Sequence, residues 1–314
     1  MRWPRKDPTI ALYLVIQIGA FLSRYIPRSW RYLIGTAVGD LVFLTWPSKR
    51  RILLENTVAV LGSDVRDPSV RRLAKKSMRN YCKYLIEFLD LPNMSSSDEV
   101  VASMKIQGLE HLQAAVERGK GVIIASAHFG TIEVGGLRLQ DFVGVHAVYD
   151  TFKPEYLDRL IQRKRLEKGI HLIGVNDVRS MMRALRHGDA LTLLFDRPLD
   201  REKGVTVRYF GRETAVPGGP AVLAMKTGAA LLPVFMYRQP DKSFECRLFP
   251  PVAWVETGDR ESDVRGIMQK LMDVLQTVVR ERPDQWYMFR PMWPDWHARE
   301  ETGSREVAPG EPGR

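Results

Sequence analysis

From Gly121 onward the sequence alternates short, almost wholly apolar runs with stretches of three- and four-residue hydrophobic spacing, and this alternation constrains the fold more than any other feature. The apolar runs are Gly121–Ala127, Val143–Tyr149, Ile170–Val175, Ala190–Phe195, Val205–Phe210, Leu231–Tyr237 and Phe244–Phe249. Helical spacing falls at Glu110–Arg118, Thr131–Gln140, Pro154–Lys168, Val178–Arg186 and Pro220–Thr227. A strand that is apolar at every position is buried on both faces, which is what helical crossovers around a parallel sheet produce. The pattern predicts an α/β fold with a mostly parallel central sheet flanked by helices. A last amphipathic helix is expected over Ser262–Arg280, with Ile267, Met268, Leu271, Val274, Leu275 and Val278 on its apolar face.

Before Gly121 the chain reads differently. A helical pattern runs from Asp67-Pro68 to Asp90, and the Pro/Ser-rich stretch Leu91–Asp98 separates this helical portion from the alternating one. Thr9–Ser23 carries no charge and is flanked by Arg2, Arg5 and Lys6 on one side and Arg24, Arg28 and Arg31 on the other. It falls short of the roughly 18 apolar residues that a spanning helix needs, and no small-residue cleavage pattern follows it. Asp40 interrupts a second run, Leu33–Trp46. Two apolar helices ending in Trp3, Trp30, Tyr32, Trp46 and arginines suit the headgroup boundary of a membrane, with two core helices as the alternative. Residues 1–50 are thus expected as N-terminal interfacial membrane-associating helices, 51–296 as the α/β domain and 297–314 as a charged, Gly/Pro-rich disordered tail.

The formal charge of +10, from 47 Lys+Arg against 37 Asp+Glu, favours a polyanionic partner. No nucleic-acid motif accompanies the charge, so anionic membrane lipids are the expected partner and nucleic acid is not. Cys82 and Cys246 are the only cysteines and have no CxxC spacing, which argues against a disulfide framework or a zinc site.

One stretch carries chemistry. A-S-A-H-F-G-T-I-E follows the run G-V-I-I and places His128 just past the end of a strand, where open α/β sheets bind ligands. Glu133 falls in the first turn of the next helix and is expected to accept a hydrogen bond from the imidazole, leaving its other nitrogen as a base. The plainer alternative is a histidine that ends a strand and a glutamate that complements a helix N-terminus. Asp196 and Arg197, in L-L-F-D-R-P-L-D, end another apolar strand and point toward the same rim as His128. Lys153, Arg159, Arg163 and Arg165 lie on one side of Phe152–Gly169, opposite the stripe Tyr156, Leu157, Leu160 and Ile161, and could hold a phosphate. Ser126 is no hydrolase nucleophile by pattern, since G-x-S-x-G is absent, and G-T-I-E-V-G-G lacks dinucleotide-binding spacing.

With these blocks, with R-R-I-L-L-E-N-T-V-A-V-L-G (Arg50–Gly62), Y-F-G-R-E-T-A-V-P-G-G-P (Tyr209–Pro220) and Q-W-Y-M-F-R-P-M-W (Gln285–Trp293), the sequence resembles the bacterial glycolipid acyltransferases, which include lipid A late acyltransferases and phosphatidylinositol mannoside acyltransferases. The resemblance implies a glycerol-phosphate-acyltransferase-like fold and an acyltransferase (EC 2.3.1.-) that moves a fatty acyl group from acyl-CoA or acyl carrier protein to a hydroxyl of a glycolipid or phospholipid. It implies His128 and Glu133 as the catalytic pair, with Arg159, Arg163, Asp196 and Arg197 as substrate-binding candidates. No cofactor and no metal enter such a mechanism. D-R-P-L is closer to the phosphatidylinositol mannoside branch than to the lipid A branch, although Pro198 replaces the second acidic residue of both. A catalytically inactive membrane-binding relative is the reading from another class. The expected location is the cytoplasmic face of the plasma membrane, peripheral or monotopic.

Overall fold

A computed structural model describes residues 25–294 except 92, 93, 95, 96, 98 and 152–154; at residues 99, 100, 156, 157, 160, 161 and 164 it describes the backbone only. The apolar run Thr9–Ser23, the tail beyond 296, Lys153 and the side chains of the stripe at Tyr156, Leu157, Leu160 and Ile161 lie outside what is described.

The described residues build a seven-stranded sheet and a separate hairpin. The strands are β1 (Lys105–Gln107), β2 (Val122–Ser126), β3 (Val145–Tyr149), β4 (His171–Gly174), β5 (Ala190–Leu194), β6 (Val205–Tyr209), β7 (Arg212–Val216), β8 (Ala230–Arg238) and β9 (Phe244–Leu248). The sheet order is β1-β9-β8-β2-β5-β3-β4, parallel throughout except for the β8–β9 pair. The mostly parallel sheet is therefore as expected. One run behaves otherwise: Val205–Tyr209 leaves the sheet and pairs antiparallel with β7.

Central strand β2 (V-I-I-A-S) is buried at every position, and its side chains alternate between two apolar layers. Ile123 and Ala125 join a cluster with Phe235, Leu271 and Leu275, whereas Val122 and Ile124 join one with Val134, Leu137 and Leu232. Helices supply the second half of each layer: α5 (Leu109–Glu117) and α6 (Ile132–Leu139) on one face, α8 (Val178–Arg186), α9 (Gly219–Thr227) and α10 (Arg260–Glu281) on the other. Short α4 (Glu99–Ala102) leads into β1, and α7 (Glu155–Leu166) leads into β4.

Among the described residues, three longer helices precede α4 and the sheet: α1 (Arg28–Thr45), α2 (Pro47–Leu61) and α3 (Pro68–Asp90). Asp67 caps α3 by accepting from the Ser69 amide, and Pro68 occupies its first turn, where the missing N–H costs nothing. Helix α1 packs on α3 through Tyr32, Gly35, Gly39 and Phe43. A methyl group at Gly39 would lie 2.6 Å from the Arg79 Cα, so the close approach depends on glycine. Its larger apolar residues, Trp30, Leu33, Leu41 and Leu44, face outward and are each more than half exposed. No helix among the described residues is long and apolar enough to cross a membrane.

Candidate active site

His128 leaves the sheet for identifiable reasons. The β2–β8 ladder stops at Ala125↔Pro233, where proline has no N–H to give, and contact resumes only as an isolated bridge at Gly130↔Met236. Between these points the chain rises over the carboxyl ends of the strands. Gly130 holds φ at +61°, and a Cβ there would fall 1.6 Å from the Met236 carbonyl oxygen. Only glycine satisfies both conditions. The C-terminal segment completes the support, since the Tyr287 amide donates to the His128 carbonyl at 2.7 Å and the Gly130 amide donates to the Gln285 carbonyl at 2.8 Å.

The imidazole's partner is Asp196, not Glu133. Parallel register sets Ser126 of β2 opposite Leu194 of β5, and continuing both chains by two residues brings His128 beside Asp196. Nδ1 of His128 lies 2.8 Å from one Asp196 carboxylate oxygen, and the His128 amide donates to the other at 3.0 Å. That second oxygen also accepts from the Trp286 indole at 3.0 Å. Asp196 is fully buried, so its orientation is fixed from three sides. Burial pulls the His128 pKa down, but the charge and hydrogen bond of Asp196 outweigh it and leave the pKa raised above the ordinary imidazole value. With Nδ1 committed, Nε2 is the nitrogen left for chemistry.

Glu133 sits in the first turn of α6, as the spacing requires, but its carboxylate is bidentate to Arg165 of α7, with Nε 3.1 Å from Oε2. The expected direct Glu133–imidazole bond is corrected accordingly: the guanidinium, a two-pronged donor, takes both carboxylate oxygens. Both groups still belong to the site. They line one cavity of about 510 Å³ together with His128, Arg197, Tyr84 and Tyr287. This volume is within the range of small-molecule sites. The cavity has two characters, with His128, Asp150, Arg197 and Arg290 at the strand ends and an apolar arm along Ile132, Gly136, Val145 and Ile170 beneath α6.

Arg197 lines the cavity and pairs with Asp150 at 3.2 Å. Arg159 and Arg163 do not reach it: both point outward from α7, where Arg163 bonds Glu167 at 2.7 Å and Arg159 lies 3.8 Å from Glu155. Helical i,i+4 pairing on an exposed face accounts for both. The amides of His128, Phe129 and Gly130 already donate to Asp196, Ala127 and Gln285, so the loop offers none of them to an oxyanion. Ser126 is buried in β2 outside the cavity lining. Both thiols are buried and unpaired, and burial pushes Cys82 up to about 11 and Cys246 up to about 12, which keeps them protonated. Sequence reasoning did not single out Asp150, Trp286 or Arg290; the only signal for the last two is the Q-W-Y-M-F-R block itself.

The profile of the bacterial lipid A biosynthesis acyltransferases matches residues 3–294. A phosphatidylinositol mannoside acyltransferase of Mycolicibacterium smegmatis is 29% identical over 253 residues, covering 79% of each chain. One from Mycobacterium tuberculosis is 30% identical over 259 residues, covering 79% of this chain and 77% of its own. The lipid A biosynthesis palmitoleoyltransferase of Escherichia coli is 26% identical over 183 residues, 58% of each. With a match across nearly its whole length, the chain belongs to the bacterial lipid A biosynthesis acyltransferase family, and it is an acyltransferase.

Proposed function

We propose that the protein transfers a fatty acyl group from an acyl thioester, acyl-CoA or acyl carrier protein, to a hydroxyl of a phosphatidylinositol mannoside-type glycolipid, with His128 as general base. The observation that carries this is the Nδ1–Asp196 bond at the mouth of a cavity with an apolar arm. Asp196 fixes the tautomer and stabilises the imidazolium as Nε2 takes the acceptor's proton. The oxygen attacks the thioester carbonyl, the tetrahedral intermediate collapses, the C–S bond breaks and the imidazolium returns its proton to the departing thiolate. Arg197 is the charged donor best placed for the oxyanion, since it lines the cavity beside His128. Glu133 acts through Arg165, holding that guanidinium against the cavity wall.

The choice of acceptor is supported by the two mycobacterial phosphatidylinositol mannoside acyltransferases, which at 29% and 30% identity are more similar to this chain than the Escherichia coli palmitoleoyltransferase at 26%. A lipid A-type acceptor is the second reading. The test is purified protein with labelled palmitoyl-CoA and, separately, mannoside and lipid A precursors, followed by mass spectrometry of the lipids. Labelled mannoside product that disappears in His128→Ala is expected; product from lipid A precursor alone moves the acceptor to the other branch, and a variant with near-normal turnover removes His128 as the base. Vesicle binding with no thiol release from the wild type supports the inactive membrane-binding relative.

The reading extends to the membrane. On α1 Tyr32, Gly35, Gly39 and Phe43 face the protein while Trp30, Leu33, Leu41 and Leu44 face out, so the helix is apolar on its solvent side as well, where a soluble surface helix is polar. Trp46 follows, half exposed, with Lys49 against its ring. An apolar stripe bordered by tryptophan and cations fits the headgroup boundary of an anionic leaflet on the side where acyl thioesters are present.

A further inference from the structure

Among the described residues, three guanidiniums line the His128 cavity: Arg165, Arg197 and Arg290. Two are neutralised, Arg165 by Glu133 and Arg197 by Asp150. Arg290 is exposed and has no carboxylate within 4 Å among the described residues. Its backbone is nevertheless fixed, because the Asn56 side chain donates to the Met288 and Arg290 carbonyls at 2.9 Å and accepts from the Met292 amide at 3.1 Å. A second cation joins it. Lys49 donates from Nζ to the Phe289 carbonyl at 3.1 Å, also with no carboxylate partner among the described residues. Arg290 on the braced strap lining the cavity, and Lys49 bonded to that strap from α2, are two cations without a carboxylate partner among the described residues; together they attract an anion, and a planar guanidinium matches the paired oxygens of a phosphate.

We propose that Arg290, with Lys49 beside it, forms a subsite for the phosphate of a phosphate-bearing lipid substrate. This rests on the acyl-transfer reading of the cavity. The position is consistent with the reaction's geometry, because a phosphate held at the rim leaves the chains or hydroxyls of the same molecule free to reach His128. Both substrate types of such a reaction carry the required group. The donor thioester has it in its pantetheine arm, and the acceptor has it in its phosphodiester.

The experiment is equilibrium binding of the full chain to three probes: palmitoyl-CoA, dioctanoyl phosphatidylinositol and phosphate-free dioctanoylglycerol. It is run on the wild type, Arg290→Gln, Arg290→Lys and Lys49→Gln. Charge-assisted hydrogen bonds of this kind predict about tenfold or greater weakening of the phosphate probes in Arg290→Gln, with partial retention in Arg290→Lys. Unchanged dioctanoylglycerol binding shows that the cavity is intact. Weakening of palmitoyl-CoA alone assigns the subsite to the donor, and weakening of phosphatidylinositol alone assigns it to the acceptor. If Arg290→Gln binds both phosphate probes within twofold of wild type, the subsite is overturned while the acyl-transfer reading stands. Wild-type protein that binds none of the three overturns both.

Discussion

His128 and Asp196 are 68 residues apart in sequence and 2.8 Å apart at their side chains, joined by the register of two neighbouring parallel strands. Asp196 touches the imidazole at Nδ1 and the His128 amide at once, so it sets both the ring's tautomer and the loop's position. Replacing Asp196 by Asn keeps the shape and removes the charge. Turnover is expected to fall by about 10²–10⁴, the range of general-base assistance. Steady-state kinetics on folded variant, checked by circular dichroism, decides it; a loss under threefold removes Asp196 from the mechanism.

The same pair dictates a pH dependence. A base must be neutral, so kcat/KM is expected to fall as pH drops through the His128 pKa, which Asp196 raises above 6.5. In Asp196→Asn that support is gone, and the acidic limb moves to lower pH. The stability sign is opposite. A raised folded-state pKa contributes stability that is complete below the unfolded imidazole pKa and is lost as pH rises through the folded one. Thermal melts of wild type and His128→Ala are therefore expected to converge in this contribution toward alkaline pH. An acidic limb that stays in place or moves upward in Asp196→Asn contradicts the assignment.

Glu133 provides the contrast. Because it holds Arg165 and not the imidazole, Glu133→Gln is expected to leave the acidic limb where it is while lowering Tm. Removing one partner of a largely buried ion pair costs about 3–5 kcal/mol, so Glu133→Ala should be severely destabilised. Adding Arg165→Met to it should recover part of the loss, because no unpaired guanidinium then remains. A limb that shifts in Glu133→Gln as it does in Asp196→Asn returns Glu133 to the imidazole.

The sequence shows the strand ends but not which of them are neighbours. Almost wholly apolar runs such as V-I-I-A and A-L-T-L-L mark central strands by composition, and a histidine and an aspartate at their ends are visible in one dimension. Their adjacency depends on β5 lying beside β2, which follows only from the order of the folded sheet. Spacing places Glu133 on the first turn of α6, yet its direction is set by Arg165, 32 residues later. Strands β1 (K-I-Q) and β7 (R-E-T-A-V) escaped because short or polar edge segments carry no run of apolar residues. The strap Trp286–Arg290 has no periodicity at all; its role comes from Asn56 and from the cavity it closes.

The apolar arm predicts acyl-chain selection. Gly136 lines it, and a Cβ there would lie 3.5 Å from Ile170 Cδ1, ordinary contact with no clash. Gly136→Ala should fold normally. Gly136→Leu fills the arm, so the preferred donor is expected to shift toward shorter chains, with activity on the shortest thioesters retained. A competition assay over a series of acyl-CoA lengths reads the shift. An unchanged preference places the fatty chain elsewhere.

The outward face of α1 gives the last prediction. Trp30 and Leu41 are 63% and 59% exposed on one side of the helix, and the packing side is made by Tyr32, Gly35, Gly39 and Phe43. Substituting Trp30→Glu and Leu41→Glu therefore touches no core contact and should leave Tm within about a degree, as surface changes usually do. Burying each such side chain in the headgroup region is worth about 1.5–3 kcal/mol, so the double variant should lose more than about tenfold in affinity for anionic vesicles. Glutamate adds repulsion from the lipid phosphates to that loss. Co-sedimentation with phosphatidylglycerol-containing vesicles measures it, and turnover on a detergent-solubilised acceptor should be unchanged, because α1 contributes no residue to the cavity lining. Vesicle affinity equal to the wild type's means that the bilayer contacts a different face.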